Sequence, residues 1–146
     1  MLVVHIAAKT VTLGKNPGGL LMAGVWRAVV ALIGLFNIAI GLGFLFNPAG
    51  LAGQFFLIPD GSQGMATLRA DFPGFFITGG AFALIGAVQK DARALLVPLM
   101  LLAIALTGRC VSLLADGMAP TAIPPMVAEA VMIAILLLAR RSLGRA

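Results

Sequence analysis

An all-α, polytopic membrane protein, folded as a four-transmembrane-helix bundle behind an N-terminal extension, is the class predicted by three features of this sequence. Its 146 residues are 61% hydrophobic and only 10% charged, against about 45–50% and about 25% in ordinary soluble domains. Uncharged runs such as 28–46 and 72–88 approach the roughly 20 residues that a helix needs to cross hydrocarbon. The basic residues gather between and beside those runs. Membrane orientation requires that arrangement, whereas a nucleic-acid surface requires basic residues along one soluble face. No nucleic-acid partner is therefore expected, despite a net charge of +5.

Residues 1–19 form the extension and residues 20–146 the transmembrane domain. The extension holds Lys9, Lys15 and a lone His5. It lacks the basic start, long apolar stretch and small-residue cleavage site of a signal peptide, and none is expected. Its mildly apolar, β-branched part, 2–13, suits a membrane surface or a partner protein. A turn at Gly14-Lys15-Asn16-Pro17-Gly18-Gly19 follows.

The first span covers about 21–46 and stops at Asn47-Pro48, where proline cannot continue the hydrogen-bond ladder. Trp26 and Arg27 read as interfacial anchors, one favouring the headgroup level and the other able to snorkel. The connection 47–71 carries an apolar stretch too short to span, 51–58, suited to a helix lying on the surface. The second span covers about 72–88, and its start has two readings. Either Ser62 caps an extension through Arg69, with Pro73 bending the helix, or Asp71 is the N-cap and Pro73 lies in the first turn. The third span covers about 94–115 and ends at Asp116-Gly117, and the fourth covers about 122–139 and opens on Pro124-Pro125. Small residues recur in every span, as close helix packing in lipid requires: Gly34 and Gly41, Gly79 with Ala83, Gly108 with Ser112, Ala130 with Ala134.

Lys9, Lys15, Lys90, Arg93, Arg140, Arg141 and Arg145 fall on one side of such a bundle and Arg69 alone on the other. The positive-inside rule then predicts a multi-pass membrane protein with both termini cytoplasmic. In that frame Arg109 lies about 9 Å from the outer end of the third helix and Glu129 about 9 Å from the outer end of the fourth. Ionisable groups at such depth are costly unless paired, which makes the two an expected ion pair. Ser112 and Asp116 share the helix face of Arg109, Asn37 lies on a stripe of small residues in the first helix, and Arg69 and Asp71 stand at the outer start of the second. Together they form the expected polar lobe, with either a ligand-binding or a structural role. Thr78, Phe75, Phe82, the methionines and the single Cys110 read as packing. No metal-ligand spacing, phosphate loop or hydrolase motif is present, so no cofactor, metal or catalytic residue is assigned.

The segment Arg69-Ala70-Asp71-Phe72-Pro73-Gly74, then Arg109-Cys110-Val111-Ser112-Leu113-Leu114-Ala115-Asp116-Gly117, then Glu129, resembles a bacterial family of small four-helix integral membrane proteins known only as a domain of unknown function. The resemblance covers roughly 22–140. It implies the same fold and signature positions at Arg69, Arg109, Ser112, Asp116, Gly117 and Glu129. The family pattern has a Gly-Gly pair soon after the first arginine, whereas here Pro73-Gly74 stands in that region and Gly79-Gly80 comes later.

Three functional readings follow. The first is a non-enzymatic module that binds a lipid, quinone or similar amphiphile through the polar lobe. The second is an accessory subunit of a larger energy-converting or transport complex. The third is a membrane enzyme acting on a hydrophobic substrate, with Glu129 or Asp71 handling a proton. Membrane lipids are expected partners in all three.

Overall fold

The computed structural model describes residues 17–144. Over them the chain forms α1 (Pro17–Phe46), a short α2 (Pro48–Ala52) running into a 3-10 turn (Gly53–Phe55), α3 (Gly61–Gln89), α4 (Leu96–Ala115), a second 3-10 turn (Pro120–Ala122) and α5 (Ile123–Leu143). There is no strand among the described residues. Four stretches, Leu21–Phe46, Gly61–Gln89, Leu96–Ala115 and Pro120–Leu143, are long and apolar enough to cross a membrane. The protein is an all-α membrane protein. Its outward faces remain apolar, with Leu32, Phe36, Met100, Ile104 and Val131 exposed, as a bundle solvated by lipid requires.

Helix α1 packs on α3 and α5, and α4 packs on the same two, which closes a four-helix square. The tightest seam is between α1 and α3, because neither helix carries a side chain where they cross. A Cβ added to Gly34 would lie 2.8 Å from the Gly80 carbonyl oxygen, and one added to Gly80 would lie 2.5 Å from the Gly34 oxygen. Such spacing lets backbones touch, the main source of helix adhesion where lipid removes the hydrophobic drive.

One end of the square holds the start of α1, the 90–95 loop and the end of α5, with Lys90, Arg93, Arg140 and Arg141. This basic end is dry: Val30, Leu95, Leu136 and Ala139 are fully buried in one cluster with Leu99 and Leu102. Trp26 packs against that cluster. Arg27 donates from Nε to the Ala87 carbonyl oxygen, 2.7 Å away, in the last turn of α3. A guanidinium there satisfies a carbonyl that has no helical partner and lies at the negative end of the helix dipole. Both expected anchors are thus tied into the bundle as well as lying near its end.

The opposite end carries α2 and the loops that follow α1 and α4. Here α2 and its 3-10 turn fold back on the bundle, where Phe44, Ala52 and Leu68 form a second buried cluster with Phe55, Phe72 and Phe76 around it. The expected surface-lying stretch is therefore partly docked: Phe55 is half-buried, while Phe56 and Ile58 remain exposed.

The structure decides two boundaries. Of the two readings of its start, helix α3 takes the extended one: it begins at Gly61 and runs through Pro73. The extension is held by Leu68, which buries itself against the cluster around Phe44. Asp60, not Ser62 or Asp71, occupies the N-cap, and its side chain makes no capping bond. Gly61 follows at φ 58, a left-handed conformation that costs glycine little. At the other boundary, Pro17, Gly18 and Gly19 belong to α1 and not to a turn. Proline suits the first turn of a helix because its missing N–H has no partner there to lose. The rest of the extension, 1–16, lies outside the described residues.

Candidate functional site

Arg109 and Glu129 meet. Arg109 Nε donates to Glu129 Oε1 at 2.9 Å. The contact follows from local geometry, since α4 and α5 are joined by a short loop and each residue lies about two turns from that loop. The partners are buried unequally: the side chain of Arg109 is 39% exposed and that of Glu129 only 11%. Glu129 Oε2 is buried and has no hydrogen-bond partner among the described residues. A buried acceptor left in that state costs about 1–3 kcal/mol, and more when it carries charge. Buried unsatisfied groups are rare enough in folded proteins that each calls for an explanation.

That oxygen is sealed from solvent, whereas other atoms of Glu129 border open space. A chamber of about 360 Å³ opens among all four spanning helices, lined by Asn37 of α1, Phe55 of the 3-10 turn, Asp71, Phe72, Phe75 and Phe76 of α3, Leu102, Ala105 and Arg109 of α4, and Glu129 and Met132 of α5. It lies between the two apolar clusters, sharing Leu102 and Met132 with one and Phe55, Phe72 and Phe76 with the other. The rings are braced from behind by the buried Phe44, whose centroid lies 4.9 Å from that of Phe55 and 4.4 Å from that of Phe72. Asn37 is buried and donates its amide to the Ile33 carbonyl, 2.9 Å away in its own helix. That bond uses one amide hydrogen and leaves the second N–H and the carbonyl oxygen without a partner among the described residues.

The expected polar lobe divides in two. Arg109, Glu129, Asn37 and Asp71 line the chamber, Asp71 being exposed at its rim. Ser112 and Asp116 do not. They line a separate groove of about 620 Å³ beside α4, together with Arg109 and the residues 117–119. Within it Ser112 Oγ donates to Asp116 Oδ2 at 2.6 Å. The two cavities share only Ala105 and Arg109, so the arginine stands at the wall between them. Arg69 is exposed and lines neither cavity.

Phe75 and Met132, read from the sequence as packing, turn out to shape the site, together with Phe72 and Phe76. Phe72, Phe75 and Phe76 fall at i, i+3 and i+4, and Met132 lies three residues beyond Glu129; both spacings mark one helix face. Phe55 had no such signal, because it reaches the chamber only through the fold-back of α2. Phe82 and Cys110, by contrast, lie on the outer surface and not in the packed interior.

Chemically the chamber combines an aromatic lining, a charge-neutral ion pair and polar groups of both kinds, donors on Arg109 and an amide on Asn37. That combination suits binding of a molecule with an apolar body and a polar head. Compared with protein-family models, curated proteins and solved structures, the chain finds no match.

Proposed function

We propose that this membrane protein is a non-enzymatic module that holds an amphiphile, with the polar head in the chamber against Arg109 and Glu129 and the apolar part against the phenylalanines. The observation that carries this reading is the Arg109–Glu129 ion pair at the wall of a 360 Å³ aromatic chamber. A pair that served only to lock α4 to α5 would need no cavity beside it. The chamber is also near the lower end of the range of about 300–1,000 Å³ typical of small-molecule sites.

The proposal includes the bacterial inner membrane, with the basic end in the cytoplasm and the chamber in the outer half. What supports it is the gathering of Lys90, Arg93, Arg140 and Arg141 at one end against Arg69 at the other. It also includes membership in the four-helix family that the R-x-x-S-x-x-x-D-G element resembles. Support for that comes from Arg69, Arg109, Ser112, Asp116 and Glu129 all belonging to the end opposite the basic one.

Native mass spectrometry of gently purified protein tests the binding reading. One defined amphiphile is expected to co-purify and to be lost in Arg109→Ala. Recovery of bulk lipid alone, unchanged by that substitution, overturns it. Cysteine labelling in a Cys110→Ser background tests orientation: Ser62 and Ala119 should react from the outside, and a position beside Lys90 only after the membrane is opened.

A further inference from the structure

We infer that the groove beside α4 is a lipid site separate from the chamber, and that it takes the head group of a zwitterionic phospholipid with a primary amine, the phosphate on Arg109 and the ammonium on Asp116. This goes beyond the amphiphile reading of the chamber and needs neither the chamber nor its occupant.

The first argument is the order of charges along one helix face. Ala105, Gly108, Arg109, Ser112 and Asp116 all line the groove. Asp116 lies two turns beyond Arg109, on the same face and about 10 Å nearer the end of the helix. Whichever side of the membrane this end faces, the cation is the deeper charge and the anion the shallower one. A phospholipid in the adjoining leaflet runs in the complementary order: acyl chains deepest, then phosphate, then amine. A phosphoethanolamine head with a hydrogen bond of about 2.8 Å at each end spans about 10 Å, which matches the separation of the two residues along the axis.

The second argument is that both charged groups have atoms to give. The side chain of Arg109 is 39% exposed, and among the described residues only its Nε is engaged, by Glu129, which does not line the groove. The terminal guanidinium nitrogens are left for a phosphate, which arginine grips with paired N–H donors. Asp116 is exposed, and Ser112 Oγ occupies only its Oδ2. The other carboxylate oxygen is left for an ammonium.

The third argument is what lies below the arginine. Gly108 leaves the helix surface bare, since a Cβ placed there meets nothing within 4 Å. With Ala105 a turn deeper and Leu113 alongside, the groove continues past Arg109 as an apolar track suited to the first carbons of an acyl chain. A soluble zwitterion would leave that track unused. A glycerol head offers Asp116 no countercharge, and a choline head has no N–H to donate to it.

The groove is open along the exposed Gly108, Ser112 and Asp116, so its occupant exchanges with the bilayer and is read in a membrane. The full chain is reconstituted in vesicles of dibrominated phosphatidylcholine, a quencher, with Met118→Trp at the groove as the sole tryptophan in a Trp26→Phe background. Recovery of fluorescence as an unbrominated lipid replaces the quencher gives the binding of each head group relative to phosphatidylcholine. Phosphatidylethanolamine should bind about fivefold more tightly than phosphatidylcholine, the worth of an exposed charge pair, and phosphatidylglycerol and oleylamine less tightly than phosphatidylethanolamine. Asp116→Asn should bring the ethanolamine ratio to near one, and Asp116→Glu should keep it. With the reporter moved to the exposed Phe36 of α1, as Phe36→Trp, the ratio should also be near one. No ethanolamine preference at the groove, the same preference at position 36, or a preference that survives Asp116→Asn overturns the site. Phosphatidylglycerol or oleylamine bound as tightly as phosphatidylethanolamine overturns the zwitterionic class. None of these outcomes bears on the chamber, which neither Asp116 nor Met118 lines.

Discussion

At the basic end of the bundle Val30, Leu95, Leu136 and Ala139 are fully buried in one contiguous cluster; toward the other end the same four helices stand around about 360 Å³ of open space. The difference comes from side-chain choice along helices that are otherwise similar in length and apolarity. Glycines at the α1–α3 crossing draw the backbones together, and leucines and alanines of α4 and α5 fill what remains. Past Asn37, phenylalanines supported by Phe44 brace the helices apart, and the one ion pair among the described residues stands at the wall. A small membrane protein can thus keep a cavity by making one half of its bundle carry the adhesion for both.

The largest expected effect breaks the closed half. Leu136→Ala removes a fully buried side chain that adjoins a void of only about 10 Å³, and should cost about 2–5 kcal/mol in reversible detergent unfolding. Phe75→Ala, which only enlarges an existing cavity, should cost distinctly less than the about 3–5 kcal/mol usual for a buried phenylalanine. Equal losses would mean that the chamber walls support the fold as much as the closed core does.

Next comes the pair. Arg109→Ala leaves the nearly buried Glu129 without its cation, whereas Glu129→Ala leaves an arginine whose side chain is 39% exposed and can turn to water. Dry pairs cost about 3–5 kcal/mol when one partner is removed and exposed pairs about 1 kcal/mol or less. With its arginine partly exposed the pair is intermediate, so Arg109→Ala should cost about 2–3 kcal/mol and Glu129→Ala about 1 kcal/mol or less. The reverse order would place the effective water on the side of Glu129.

The glycine seam is the next smaller case. Gly80→Ala puts a methyl 2.5 Å from the Gly34 carbonyl oxygen. Backbone on the facing helix cannot move aside as a side chain would, so a loss of about 1–3 kcal/mol is expected by the same unfolding assay. An unchanged midpoint would show that α1 and α3 are free to separate, and that the closed half is held by α4 and α5 instead.

Much of this was legible in the residues themselves. The four spans follow from length and hydropathy, and the meeting of Arg109 with Glu129 follows from equal depth on two helices joined by a short loop. The rest depended on tertiary structure. Nothing local in residues 61–70 announces that Leu68 will bury itself against Phe44, so the two readings of the start of α3 could not be told apart. Phe55 reaches the chamber because the chain turns at Phe56, which sits in the left-handed region at φ 57 without being glycine, a turn that periodicity does not reveal. Helical spacing placed Arg109, Ser112 and Asp116 on one face correctly, but a face is broad. It could not tell that Arg109 reaches the chamber while Ser112 and Asp116 line only the outer groove.

That division leads to the smallest expected effect. Ser112 and Asp116 are exposed, and their hydrogen bond of 2.6 Å lies in the groove at the end of α4. Losing the hydroxyl in Ser112→Ala leaves a carboxylate that solvent can hydrate, so the change should be under about 1 kcal/mol. Since Ser112 does not line the chamber, retention of any co-purifying amphiphile should also match wild type. Two measurements on this one variant therefore sharpen the comparison between chamber and groove. A large loss of stability would show that the groove is drier than its exposure implies. A loss of amphiphile with stability intact would show that Arg109 does not separate the two spaces, and that the ligand extends past it along α4.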